Sequence, residues 1–147
     1  MNVEKLKQLK AFILAEPRRY NQEFWILGKE SSVVADQKPP CGTAACLAGS
    51  ACLMEGWTPD YKRSSGYYQD KAAFARVIKG RKSVYVDELA SEILELTEDD
   101  AENLFSASCD GWDIGNAAAY HAAKTPLGRA KAAAAEIDRL IALEEES

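Results

Sequence analysis

Apolar residues recur every three or four positions in several segments, which is the spacing of one buried face of an α-helix. The first such segment starts after Asn2, a residue type that caps helix N-termini, and Pro17 interrupts it. Its apolar positions are Val3, Leu6, Leu9 and Ile13. The pattern therefore predicts an amphipathic helix at the start of the chain.

A second segment, 43–54, is composed almost entirely of small residues, so its helix presents little bulk to its neighbours. We expect Gly42 and Thr43 to cap this helix and Gly56 to close it at the position after its end. Because another helix or an aromatic ring can approach such a backbone closely, we place this helix at the centre of the molecule.

Three further regions continue the helical pattern. Apolar residues from Val86 to Leu96 mark one helix, and Thr97 with Asp100 forms an approximate capping box for the next, which buries Ala101, Leu104 and Phe105. The segment NAAAYHAAK favours another short helix. Thr125 and Pro126 then begin a terminal helix with an apolar seam at Leu127, Ala130, Ala134, Ile137 and Ile141.

The remaining segments lack a helical period. Residues 18–40 indicate an extended arm whose aromatic side chains pack on the core, and residues 57–72 have the composition of a loop. Residues 74–86 fit either a short β-hairpin or a helix, with Val84 and Val86 favouring the hairpin. We therefore expect a mainly α fold, a compact bundle of five or six helices in one domain, 1–147, with at most one short hairpin.

Charge narrows the classes of function. The 147 residues include 18 Lys and Arg against 23 Asp and Glu, which gives a net charge of −5 and argues against a nucleic-acid partner. No apolar run is long enough to cross a bilayer, and the N-terminus lacks the apolar core of a secretory signal. We expect a cytoplasmic protein with no membrane partner.

The ordered motifs are CGTAACLAG, DELASEILELTEDDAENLF and TPLGRAKAAAAEIDRLI. As a set they resemble an uncharacterised family of small bacterial and phage proteins with a Cys-Gly-Thr-x-x-Cys-x-Ala-Gly signature. The likeness covers the segments that carry these motifs. This chain departs from the pattern in the Tyr-rich stretch 60–72 and at Ser50-Ala51, where a large aromatic residue often follows the glycine. The resemblance implies a fold and no particular activity.

Nucleophilic catalysis is one alternative. Cys41 or Cys46 near a helix N-terminus can have a lowered pKa, with His121 as the base and Asp110 or Asp113 orienting it. The competing interpretation treats the cysteines as small buried hydrophobic residues and His121 as a hydrogen-bonded structural residue.

Metal binding is a weaker alternative. The available ligands would be Cys41, Cys46, Cys52, Cys109 and His121. Their spacing does not match that of structural zinc sites, so we expect no metal and no cofactor.

A cluster of tyrosines and basic residues is the candidate binding surface. It comprises Tyr61, Arg63, Tyr67, Tyr68 and Arg81. Tyrosine and arginine are enriched where proteins bind one another. The sequence therefore favours a non-enzymatic binding or interaction module that has a protein or peptide partner. Such a module would act as an accessory or regulatory protein. A small-molecule ligand and pairing with a second copy of the chain remain open, and the alternative function is a cysteine-dependent enzyme or thiol sensor.

Overall fold

The computed structural model describes residues 1–28, 43–68 and 71–147. In this part of the chain it contains six α-helices and seven short β-strands arranged in two antiparallel sheets. The prediction of a mainly α bundle with one hairpin is therefore wrong, and the fold is mixed α and β. The helices are α1 Val3–Ala15, α2 Leu47–Met54, α3 Val86–Leu94, α4 Glu98–Leu104, α5 Ile114–Ala122 and α6 Pro126–Glu146.

Helix α1 follows its predicted pattern. The Asn2 side chain accepts a hydrogen bond from the Lys5 backbone N–H at 3.0 Å, which satisfies one of the free donors of the first turn. Leu6, Leu9 and Ile13 are fully buried. A short 3-10 helix, Pro17–Arg19, follows where Pro17 ends α1.

Helix α2 begins later than predicted. Ala44 and Ala45 belong to a strand, and Cys46 rather than Thr43 is the N-cap. These two alanines pair with strand β1, Ile26–Gly28, so their backbone groups find hydrogen-bond partners in a sheet rather than in a helix. Gly56 has a φ of +87° just beyond the helix, as its predicted closing role requires. The central position is confirmed, since every residue from Leu47 to Cys52 is buried.

The first sheet has the strand order β2-β1-β5-β4 and the second has the order β3-β6-β7. The strands are β1 Ile26–Gly28, β2 Ala44–Ala45, β3 Thr58–Pro59, β4 Gly66–Tyr68, β5 Lys71–Phe74, β6 Arg76–Lys79 and β7 Lys82–Tyr85. Residues 57–72, predicted to be a loop, thus contribute to both sheets. The prediction failed because strands this short find their partners at distant positions, such as Ile26 opposite Phe74.

The alternative over residues 74–86 is resolved as a hairpin. Strands β6 and β7 pair from Arg76 opposite Tyr85 to Lys79 opposite Lys82. Gly80 has a φ of +63° at the first position of the two-residue loop. A type II′ turn requires a positive φ at this position, and glycine adopts it without strain. The stiff side chain of Val84 lies in β7, while Val86 starts helix α3.

Helices α4 and α6 begin at their predicted caps. The Thr97 hydroxyl accepts from the Asp100 backbone N–H, and the Thr125 hydroxyl accepts from the Gly128 N–H. Helix α6 packs against α1 and α5, while α2 packs against α1 and α3. The seam of α6 is buried except at Leu127, which is 45 % exposed. Within the described residues, none of the helices combines the length and apolar character needed to span a membrane.

Candidate functional site

A groove with acidic walls lies between helices α3 and α4 and has a volume of about 690 Å³. We call it the acidic groove. Trp25, just before β1, and Phe105, just after α4, contribute aromatic rings to it. Its other lining residues are Asp87, Glu88, Ser91, Glu98, Ala101 and Glu102. The groove therefore combines two aromatic rings with four carboxylates.

The four carboxylates are exposed, and none forms an ion pair with a residue in the described part of the chain. Asp87 and Glu88 in the first turn of α3, and Glu98 in that of α4, are favourable next to helix N-termini. Glu102 lies in the last turn of α4, where the helix dipole disfavours an acid. Helix stability thus accounts for three of these acids and leaves Glu102 unexplained.

A second hollow adjoins the acidic groove, because Trp25 and Phe105 border both. This hollow has a volume of about 310 Å³, and Phe24, Phe74 and the Cys46 side chain also line it. We call it the aromatic hollow. It offers an apolar surface beside the acidic one.

Cys46, one candidate nucleophile, is only 1 % exposed. Its Sγ accepts from the Gly49 backbone N–H at 3.5 Å and donates to the Trp25 carbonyl oxygen at 3.7 Å. Burial raises the pKa of the Cys46 thiol to about 11, and this outweighs the backbone N–H groups that lower it. The thiol is therefore neutral at pH 7 and serves as a helix cap, which is the opposite of an activated nucleophile.

The three residues proposed to assist a nucleophile are not arranged around Cys46. His121 Nε2 donates to the Ser108 carbonyl oxygen at 2.9 Å. Asp113 caps α5 by accepting from the Gly115 N–H at 3.0 Å, and Asp110 is exposed. Cys46 borders the aromatic hollow, whereas His121 borders a different cleft. Cys41, the other candidate nucleophile, lies outside the described residues.

The other two described cysteines are also buried. The Cys52 Sγ donates to the Val86 carbonyl oxygen at 3.5 Å, and burial raises the pKa of its thiol. Burial also raises the pKa of the Cys109 thiol, to about 12. Across residues 1–28, 43–68 and 71–147, no three His, Cys, Asp or Glu side chains are grouped as a metal site would need.

The predicted tyrosine and arginine surface is only partly solvent-facing. Tyr61 packs edge-on against Phe74 with a centroid distance of 5.4 Å, and burial raises its pKa. Arg63 lies 3.8 Å from the buried Asp60, and Arg81 is exposed in the hairpin turn. Tyr67 and Tyr68 lie in β4, and their side chains are outside the described atoms. Tyr61 thus stabilises the sheet, while the binding role of the other four stays a prediction.

The acidic groove was not identified from the sequence. Trp25 belongs to segment 18–40, whose aromatic side chains are expected from the sequence to pack on the core. Glu102 at the wrong end of its helix was the one local signal. Comparisons with protein-family models, curated proteins and solved structures return no match to this chain. The suggested family resemblance stays a prediction.

Proposed function

We propose that the protein is a non-enzymatic binding module whose acidic groove receives a basic, amphipathic segment of a partner protein or peptide. The observation that carries this proposal is the set of four carboxylates without ion-pair partners in the described chain around Trp25 and Phe105. An arrangement of this kind lowers the free energy of a Lys or Arg side chain placed between the helices.

Charge and aromatic surface act together here. A guanidinium or ammonium group is attracted to a carboxylate and also to the face of an indole ring. Trp25 is half-buried, so its ring is held in place while part of it remains accessible. The net charge of −5 adds a long-range field that speeds the approach of a basic partner.

The aromatic hollow supplies the second half of the recognition. Binding energy in peptide complexes is concentrated in apolar anchors that enter pockets, while charges set specificity and association rate. An apolar partner side chain in the hollow would contact Phe24 and Phe74. A segment with basic residues next to an apolar anchor is the ligand class that fits both cavities.

The buried thiols support a binding role over cysteine chemistry. Cys46, Cys52 and Cys109 are 0–1 % exposed, and burial raises the pKa of each thiol. None of the three offers the accessible thiolate that a cysteine enzyme or a thiol sensor needs.

The test is a titration of the protein with a short synthetic peptide of Lys, Arg and Leu, followed by the ¹⁵N–¹H signal of the Trp25 indole. We expect a saturable shift. The double variant Glu98→Lys/Glu102→Lys should weaken binding by about tenfold, since each exposed contact between charges is worth up to about 1 kcal/mol and reversing the charge turns attraction into repulsion.

The matched control is Glu145→Lys/Glu146→Lys, which makes the same change in net charge at the exposed end of α6. It should bind nearly as well as the wild-type protein. Equal weakening in both double variants would reduce the effect to general charge attraction and refute the groove. The groove would also be refuted if the wild-type protein bound an acidic peptide of the same length as tightly as the basic one.

A further inference from the structure

A second, chemically different cleft lies beside the 3-10 helix, the end of α5 and the start of α6, with a volume of about 410 Å³. Arg18, His121 and Arg129 line it, and Glu23 is the one carboxylate among its lining residues. This cleft is positively charged in a molecule whose net charge is −5. We call it the basic cleft.

The two arginines of the basic cleft have no carboxylate within ion-pair distance in the described chain. Arg19 provides the contrast, since its guanidinium pairs with Glu16 at 2.6 Å. Two guanidinium groups bordering one cleft repel each other, and an anion between them would remove that repulsion.

Tyr120 supplies a third donor. This residue is only 7 % exposed, and its hydroxyl oxygen accepts from the Gln22 backbone N–H at 3.2 Å. Its own O–H hydrogen has no acceptor among the described residues. Tyr20, which borders the same cleft, differs because its hydroxyl donates to Gln22 Oε1 at 2.9 Å. A hydroxyl hydrogen without an acceptor in the described protein can be donated to a ligand in the cleft.

Other contacts fix the surroundings of these donors. Burial raises the pKa of Tyr120, and the hydrogen bond from the Gln22 backbone N–H and, to a smaller extent, the positive charge of Arg129 oppose that shift. His121 holds its Nε2 hydrogen on the Ser108 carbonyl oxygen, because a carbonyl can only accept. Leu27 and Pro126 add an apolar part to the lining.

We propose that the basic cleft binds the phosphate group of a small organic phosphate monoester. A phosphate monoester carries a charge near −2 and has three terminal oxygens, which matches two guanidinium groups and the Tyr120 hydroxyl. Arginine binds such oxygens in pairs through its planar fork. The organic part lies against the apolar lining, and the cleft volume is in the range of small-molecule sites.

The experiment is a calorimetric titration of the purified protein with phenyl phosphate, with phenylacetate as the monoanionic comparison. We expect saturable binding of phenyl phosphate and much weaker binding of phenylacetate. The variant Arg18→Gln/Arg129→Gln should bind phenyl phosphate at least about tenfold more weakly, because two charge-assisted contacts are lost.

The matched control is Arg19→Gln/Lys82→Gln, which removes two positive charges outside the cleft and should retain binding. Tyr120→Phe keeps the ring and removes the donor, so it should weaken binding severalfold with the Arg18 and Arg129 contacts intact. Its melting temperature reports the separate cost of the lost Gln22 contact.

The proposal fails if the wild-type protein shows no saturable binding of phenyl phosphate, if both double variants lose binding equally, or if phenylacetate binds as tightly. It is independent of the proposed peptide-binding role. The Glu98→Lys/Glu102→Lys variant should bind phenyl phosphate like the wild-type protein even where it no longer binds peptide.

Discussion

Gly49 allows helix α2 to approach closely the backbone that leads into strand β1. A Cβ atom at this position would lie 1.9 Å from the Trp25 carbonyl oxygen and 2.8 Å from the Ala45 Cβ. The small residues of α2 thus admit the backbone that leads into β1, where the sequence suggested a helix or a ring. Trp25 borders both the acidic groove and the aromatic hollow, so this contact fixes the backbone of a residue that lines both.

Gly49→Ala should destabilise the protein by about 3 kcal/mol or more, because the clash is with backbone that cannot rotate away. Chemical denaturation measures the effect. Gly66→Ala is the control, since a Cβ there meets no atom within 4 Å, and it should change stability by less than about 0.5 kcal/mol. Equal stability of the two variants would mean that α2 does not contact the Trp25 backbone.

Thiol reactivity is a second property of single residues. In the Cys41→Ser variant the remaining thiols are those of Cys46, Cys52 and Cys109, which are 0–1 % exposed. We expect them to react slowly with a thiol reagent at pH 7 and quickly after unfolding, because only an accessible thiolate reacts. One rapidly reacting thiol in the folded variant would revive the cysteine-enzyme alternative.

Helix α6 holds the turn before α5 through one buried carboxylate. Glu136 is 1 % exposed, and its Oε1 accepts from the Asp113 N–H and the Asn116 amide, both at 3.0 Å. Arg139, one turn later on the same helix, forms an ion pair with it. The side-chain hydrogen bond and charge of Glu136 raise the pKa of Arg139 against a smaller opposing effect of burial. This cluster therefore joins α6 to α5 and to the turn that precedes α5.

Glu136→Ala should cost about 3 kcal/mol, because it leaves a backbone N–H and an amide without an acceptor and a guanidinium without its partner. Asp138→Ala, on the same helix, removes only an exposed pair with Lys10 and should cost less than about 1 kcal/mol. Thermal denaturation of both variants measures the difference. Similar costs would show that Glu136 is not the anchor of this turn.

Alkaline pH tests the packing of the whole molecule. Burial raises the pKa of Cys46 to about 11 and of Cys109 to about 12, and it raises that of Cys52 as well. In the unfolded chain thiols ionise near pH 8.5. Above that pH the unfolded state loses protons that the folded state retains. The stabilisation is complete below about pH 8.5 and is lost as the pH rises toward the folded values.

The free energy of unfolding should therefore fall from about pH 8 to about pH 10, by on the order of 1 kcal/mol per pH unit for each buried thiol. Urea denaturation at several pH values measures the slope. Cys46→Ser keeps a good N-cap and removes one titrating thiol, so its slope should be shallower. A slope of zero in the wild-type protein would contradict the burial of all three thiols.

Local signals predicted individual elements well. Asn2, Thr97 and Thr125 cap their helices as expected, because a cap needs only a side-chain oxygen and an N–H group within one turn. The apolar periods of α1 and α6 predicted their buried faces, since a helix repeats its orientation every few residues. The sequence could offer the hairpin around Gly80 as one of two alternatives, because a two-residue turn is also a local feature.

Long-range pairing was beyond such signals. Strand β1 lies between β2 and β5, which come later in the chain, so its three residues are extended because of partners that local composition does not reveal. For this reason the sequence predicted a mainly α fold, whereas the fold is mixed α and β. The acidic groove depends in the same way on Trp25 and Phe105, which the fold brings to one cavity.

The sequence by itself determined the helix caps, the buried faces of α1 and α6, the acidic charge and the central position of α2. Each of these follows from residue type and spacing within a few turns of chain. Only the tertiary structure decided the two sheets, the neutral state of the buried thiols and the two oppositely charged cavities. Each of these depends on desolvation and on contacts between residues far apart in the chain.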